Sequence, residues 1–401
     1  MAAMSSRINT PISNAELERR WRAVRERMAD RGIDVLVCQA NNDYMGGAVR
    51  YLSDVPAGNG YPVSLVFPLE GEGTLIRQGP VHGEQIVPQG GGGPLHGIGR
   101  VLTTPSYASV GYTRYYDAEL IVKALAGFEH ATIGVPASAE VSYPTIEYVR
   151  REMPNAKFVE EWDVIDEVKM VKSAEELERV RSVCAVQDAA MEAAFAALKP
   201  GMRESELTAI AEYTARTLGS EQGLYLCSSW QPGQSSPFGP PHFQAKVIEE
   251  GDIVRLLIEC NGPGGYYAEL GRMASLGPVP SVMLDECAFT IQAQEYCVSL
   301  LDIGVSCSEV WNEYNAFMVK NGRPGETRLH CHGQGYDLVE RPLVRFDEPA
   351  TISANMNITC HPSYEFGGGF DSWICDNFLI TGDGAPERLH RYPQEIVVIG
   401  A

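Results

Sequence analysis

The second half of the chain restricts the fold most, because one order of elements is written there twice. A long helix is predicted over residues 174–198, with Leu177, Val180, Cys184, Met191 and Phe195 on one face, and a shorter helix over 204–218. Strands over 252–260 and 266–276 follow. The same order returns as a helix over 284–301, a second helix opened by Ser306 with Glu309 and closed by Gly322, and strands over 355–361 and 373–381. Residue identity between the copies is low, so the repeat lies in the pattern. Two helix-helix-hairpin units in tandem imply a pseudo-symmetric sheet clasped by helices, with the natural cleft between its halves.

The first half reads differently. Ser13 and Glu16 form a capping box ahead of Leu17, Trp21, Val24 and Met28, which share one helical face, and Gly32 ends that helix. Strands over 33–38, 62–69, 74–76 and 131–135 and a helix over 143–153 complete an α/β domain. Gly90 to Gly93 read as a flexible connection rather than a phosphate cradle, because no Gly-Lys-Ser/Thr follows. The fold class is therefore α/β (α+β), with domains over 1–166 and 167–401.

Composition removes several functions. A formal charge of −20 repels phosphate backbones, which argues against a nucleic-acid partner. No run approaches the roughly 20 apolar residues a membrane helix needs, and residues 1–13 lack the apolar core of a signal peptide, so a cytoplasmic protein without a membrane partner is expected. The ten cysteines are scattered from Cys38 to Cys375 with no Cys-x-x-Cys pair, and reduced, buried thiols are expected.

Candidate chemistry gathers in the repeat. Of the eight histidines, His242, His332 and His361 stand beside Gly or Pro at the edges of predicted strands, a placement that exposes side chains to a pocket. Aromatic residues cluster around the same segments: Trp230, Phe238, Phe243, Tyr266, Tyr267, Tyr364, Phe370 and Trp373. Aromatic faces beside the carboxylates Glu259 and Glu269 suit a small cationic or zwitterionic ligand.

The segment from Lys169 to Leu177 resembles the linker and first helix that open the catalytic domain of the creatinase, prolidase and methionine aminopeptidase family, the pita-bread fold. His242 after Pro240-Pro241, Gly251-Asp252-Ile253-Val254, Gly265 to Arg272, His332-Gly333-Gln334-Gly335 and Asp376 to Thr381 follow in the family's order. In the metallopeptidases of that family, two Asp, a His and two Glu hold two metals. By position this chain has Glu259, Glu269, His332, His361 and Cys375, a departure at four of the five. Two carboxylates, two imidazoles and a thiol are all legitimate ligands for one divalent metal. The resemblance to creatinase, whose ligand positions are also largely replaced, implies instead a site without a metal, and that is the expectation.

A second His expected seven residues after the motif His is here Val339, which counts against peptide hydrolysis, and a creatine-pairing arginine is replaced by Tyr61. The resemblance thus implies hydrolysis of a non-peptide carbon-nitrogen bond in a small polar metabolite, with the amidine ectoine as the specific expectation. In that reading Glu259 or Glu269 pairs with the amidinium or attacks it, His242 transfers protons, and His332 and His361 orient or share them. Tyr61, Trp230, Tyr266, Tyr267 and Trp373 line the substrate. A metal-dependent Xaa-Pro dipeptidase and a non-catalytic binding protein are the alternatives, and a homodimer is the expected assembly.

Overall fold

The computed structural model describes residues 11–88, 95–234, 238, 243–364, 371–382 and 386–400. The glycine run 90–93 and His242 lie outside them. Two compact units emerge, Pro11–Lys169 and Met170 onward. The border expected at residue 166 falls inside the helix Asp163–Lys169, whose apolar residues Val164, Ile165 and Val168 are buried, so the first unit runs three residues further.

In the first unit, helix Asn14–Asp30 starts where Ser13 Oγ accepts the Glu16 amide proton at 3.1 Å, and it stops before Gly32, whose φ of +63° a glycine adopts without strain. A seven-stranded mixed sheet follows, in the spatial order Gly83–Ile86, Ile98–Thr104, Gly73–Gln78, Val63–Pro68, Val35–Ala40, Thr132–Val135 and Lys157–Glu160. The expected strands are all present with ends displaced by one or two residues. Three strands are absent from the sequence reading: Gly83–Ile86 and Lys157–Glu160, at the two edges, are short and largely polar or exposed, which erases the apolar alternation, and Ile98–Thr104 follows closely on the glycine-rich run.

The second unit corrects the repeat. Helices Ala174–Ala197 and Glu204–Thr217 lead not to a hairpin but to three consecutive antiparallel strands, Gly223–Trp230, Ile253–Asn261 and Tyr267–Ser275. Helices Ser281–Ser299 and Cys307–Lys320 lead to three strands that are neighbours in their sheet, Cys331–Gly333, Asn357–Cys360 and Asp376–Leu379, with the shorter strands Glu340–Leu343, Ser363–Tyr364 and Ser372–Trp373 between them in the chain. Each copy was missing its first strand: Gly223–Trp230 lacks period-two alternation, and Cys331–Gly333 is only three residues long.

The copies join where Gly271 and Cys375 exchange backbone hydrogen bonds of 3.1 and 3.3 Å. Beside this bridge, Arg272 donates to Asp376 at 2.6 Å and to the carbonyls of Cys375, Tyr392 and Pro393, with both charged side chains removed from water. A buried pair so fully hydrogen bonded offsets much of its desolvation cost and fixes the register of the halves. Among the described residues, no helix is long and apolar enough to cross a membrane.

Candidate active site

Strands Ile253–Asn261 and Tyr267–Ser275 are buried along their whole length, and their register sets Glu259 directly opposite Glu269. Side chains two apart share a face, so Arg255, Leu257 and Glu259 look the same way as Tyr267, Glu269 and Gly271. The second copy brings His332 from its first strand and His361 from just beyond its second. His332 Nε2 lies 3.8 Å from Glu269 Oε2, and His361 Nε2 lies 4.0 Å from the same oxygen. The two imidazoles meet edge to face at 5.3 Å. One donor atom from each of Glu269, His332 and His361 lies within 4.8 Å of the others.

Burial governs the protonation of this cluster. It pushes the Glu259 carboxyl well above its ordinary range, an effect the facing Glu269 charge strengthens and a bond from Gln334 opposes. Burial likewise raises Glu269, to about 7, against hydrogen bonds from Cys375 and Thr359 and the positive charge of Arg328. Both imidazoles go the other way: His332 falls to about 4 and His361 well below its usual value, each chiefly through desolvation. They are neutral at pH 7. His332 Nδ1 lies 2.9 Å from the Gly333 carbonyl, which only accepts, so the proton sits on Nδ1 and the lone pair of Nε2 faces Glu269.

A polar network that sequence reasoning did not single out supports the pair. Gln334 donates to Glu259 Oε1 at 3.1 Å and accepts from Asn377 Nδ2 at 2.9 Å, while Asn377 Oδ1 accepts the Glu269 amide proton at 2.8 Å. Asn357 closes the network by donating to the Gln334 carbonyl at 3.1 Å. The signal was present in His332-Gly-Gln-Gly and Asp376-Asn377, but only the histidine was assigned chemistry.

The remaining candidates separate. Cys375 Sγ lies 3.2 Å from Thr359 Oγ1 and donates to the Glu269 carbonyl at 3.3 Å, and burial holds its thiol well above the ordinary range, so it stays neutral. Trp373 lies against Leu257 and Cys375 and edge-on to Phe238, forming a wall beside Glu269. Tyr267 shares Glu269's face and is fully buried. Two aromatic candidates have partners away from the Glu269 cluster. Trp230 packs with Ile253, Met273, Met283 and Ile396, and Tyr266 donates its hydroxyl proton to buried Glu176 at 2.8 Å while tilting against Tyr336. Tyr61 belongs to the first unit, half exposed and edge-on to Tyr107. A cavity of about 480 Å³, lined by Phe238, Arg255, Glu326, Arg328, Ser363 and Asp371 among others, opens on the side of Phe238 and of Ser363, two residues from His361.

Two pseudo-symmetric helix-and-sheet copies with a buried donor cluster on their facing strands define a pita-bread catalytic domain. The chain belongs to metallopeptidase family M24, whose sequence profile matches residues 178–382. It is 26% identical over 273 residues to an Xaa-Pro dipeptidase of Pyrococcus furiosus, covering 66% of this chain and 75% of that one. It is 25% identical over 240 residues to a probable dipeptidase PepE of Mycobacterium tuberculosis, covering 59% of this chain and 63% of that one. The fold is shared with an X-Pro aminopeptidase from Thermotoga maritima, with a TM-score of 0.78 and 19% identity over 94% of this chain and 99% of that one. A prolidase from Pyrococcus horikoshii gives a TM-score of 0.72 with 21% identity over 94% of this chain and all of that one.

Proposed function

We propose that this chain hydrolyses amide carbon-nitrogen bonds in small peptide-like substrates, Xaa-Pro dipeptides first, with one divalent metal held by Glu269, His332 and His361. The convergence of one carboxylate and two neutral imidazoles carries the reading, since this donor set is the one a single first-row metal takes. Lone pairs available at pH 7, and a tautomer of His332 fixed by Gly333, suit it further. The donors fit one metal better than two. Glu259 is occupied by Gln334, and the neutral Cys375 thiol is engaged by Thr359 and the Glu269 carbonyl. Against the metal-free expectation, the family's name and this donor set support the metal-dependent alternative.

When bound, the metal supplies Lewis acidity and a nucleophilic water at neutral pH. The chain's own residues do the rest. Glu259, whose carboxyl burial and the facing Glu269 push upward, is the proton donor for the leaving nitrogen in this reading, and Gln334 donates to it. Arg255 on the cavity wall offers a guanidinium group to a substrate carboxylate and Asp371 on the same wall an anion to its amine, while Arg328 and Glu326 pair with each other at 3.1 Å. Arg255 is held by stacking on Phe238, 4.0 Å from the ring centre. Neither the family match nor the names of the relatives support ectoine ring opening in particular. The homodimer implied by the family resemblance remains part of the proposal, to be tested by light scattering.

The discriminating experiment is a turnover screen of Xaa-Pro dipeptides, ectoine and creatine with chelated and metal-loaded protein. Dipeptide cleavage restricted to loaded protein is the expected result. Ectoine turnover by chelated protein would overturn the proposal.

A further inference from the structure

The strands that carry His332 and His361 have a second face. Cys331 and Cys360 are direct partners in the antiparallel ladder, and each immediately precedes one of those histidines, so the thiols emerge on the opposite side of the sheet. Helix Ser281–Ser299 packs there and contributes Cys297. All three thiols are fully buried, and their sulfur atoms lie within 4.8 Å of one another. His330, also fully buried, points Nε2 at Cys297 Sγ from 3.6 Å, and its ring is held by stacking on Tyr314 with centroids 4.2 Å apart. Its Nδ1 has no hydrogen-bond partner among the described residues, so Cys297 is the ring's one polar contact there.

We propose that Cys297, Cys331, Cys360 and His330 form a closed structural site for a thiophilic divalent ion, zinc in the first place. It is separate from the Glu269 cluster and does not depend on the function proposed above. One or two buried cysteines are ordinary apolar filling. Three thiols converging with an imidazole supply the four soft donors of a structural zinc site.

Tetrahedral geometry sets the distances such a site requires. Zinc-sulfur bonds of about 2.3 Å and a zinc-nitrogen bond of about 2.05 Å at tetrahedral angles place S and N roughly 3.6 Å apart and S and S roughly 3.8 Å apart. The observed 3.6 Å between Cys297 Sγ and His330 Nε2 matches the first, and the three sulfurs lie within 4.8 Å of one another, while the His330 ring must move closer to Cys331 and Cys360 to complete the set. Binding exchanges protons for the ion: three S–H bonds break, three S–Zn bonds and one N–Zn bond form, and three protons leave to water. The resulting complex carries one net negative charge. It ties the helix of the second repeat to the back of the strands whose front presents His332 and His361, so its loading is coupled to folding.

The test uses the full chain, reduced and stripped, then given one equivalent of zinc or cobalt(II). Cobalt is expected to produce an intense thiolate-to-metal charge-transfer band in the near ultraviolet, which zinc displaces. That band should persist in a His332→Ala/His361→Ala variant, and zinc occupancy in that background should be near one per chain by mass spectrometry of the metal. Cys297→Ser should lower occupancy at least tenfold and abolish the band. Should Cys297→Ser fail to fold, the cobalt spectrum of the parent decides alone. Cobalt that binds without a thiolate band, or a His332→Ala/His361→Ala protein that retains no zinc, would overturn the proposal, as would a Cys331–Cys360 disulfide in the protein as isolated.

Discussion

Replacing Gly271 by Ala puts one methyl group where the two repeats meet. A β-carbon built at this position lies 2.8 Å from Trp373 Cε3 and closer still to Cζ3 and Cη2. Carbon atoms pack at about 3.5–4.0 Å, so the indole must retreat by well over an ångström. It has little room to do so, because Trp373 is held between Leu257, Cys375 and Phe238 and is 6% exposed. Two residues on, Cys375 exchanges both backbone hydrogen bonds with Gly271 itself. Overpacking in a filled core costs about 1–3 kcal/mol, and contact with a rigid ring places this case at the upper end. Urea unfolding followed by near-ultraviolet circular dichroism reads the cost. The Gly271→Ala/Trp373→Leu double variant should recover part of it, because the smaller side chain removes the collision, giving a non-additive cycle. Destabilisation below about 0.5 kcal/mol in the single variant, within the range of neutral surface changes, would refute the packing argument.

Other substitutions separate structural from chemical roles. Asp376→Asn should destabilise the second unit by about 3–5 kcal/mol in thermal or urea unfolding, because it leaves buried Arg272 without its countercharge. Tyr266→Phe should cost about 1.5–3 kcal/mol by removing the hydroxyl bond to Glu176, with kcat/KM unchanged if the ring only packs. Gln334→Leu strands acceptors and donors on Glu259 and Asn377, so steady-state kinetics should show a fall in kcat larger than any change in KM. Asp252→Asn should lower stability and leave kcat within a few-fold. Its buried carboxylate accepts from Gln231, the Glu249 amide and Lys246 and has no part in the donor cluster.

Much of this was legible in sequence because the second unit announces its helices at their starts. Ser173 with Glu176, and Ser306 ahead of Glu309, cap helices within a residue of where they were expected. Strands were legible only where an apolar run was long. Cys331–Gly333 is too short to carry a period, so His332 read as a residue at a strand edge rather than one inside the sheet. The pairing of Glu259 with Glu269 depends on register, and register follows from the turn between their strands rather than from either residue. The aromatic cluster divides because one position changes the face a side chain meets: Tyr267 shares the face of Glu269, while its neighbour Tyr266 donates to Glu176. The grouping of Cys297, Cys331 and Cys360 has no sequence signature at all, since their separations follow only from the stacking of a helix on a sheet.

The central claim is that Glu269, His332 and His361 hold one catalytic metal, and reconstitution kinetics tests it most directly. Protein stripped by exhaustive chelation is titrated with zinc, manganese or cobalt while Xaa-Pro dipeptide cleavage and bound metal are followed together, in the parent and in His361→Ala. The account predicts that activity vanishes on stripping and returns in proportion to metal that the parent binds and His361→Ala does not. Full dipeptide turnover by stripped protein, or equal recovery in His361→Ala, would contradict it.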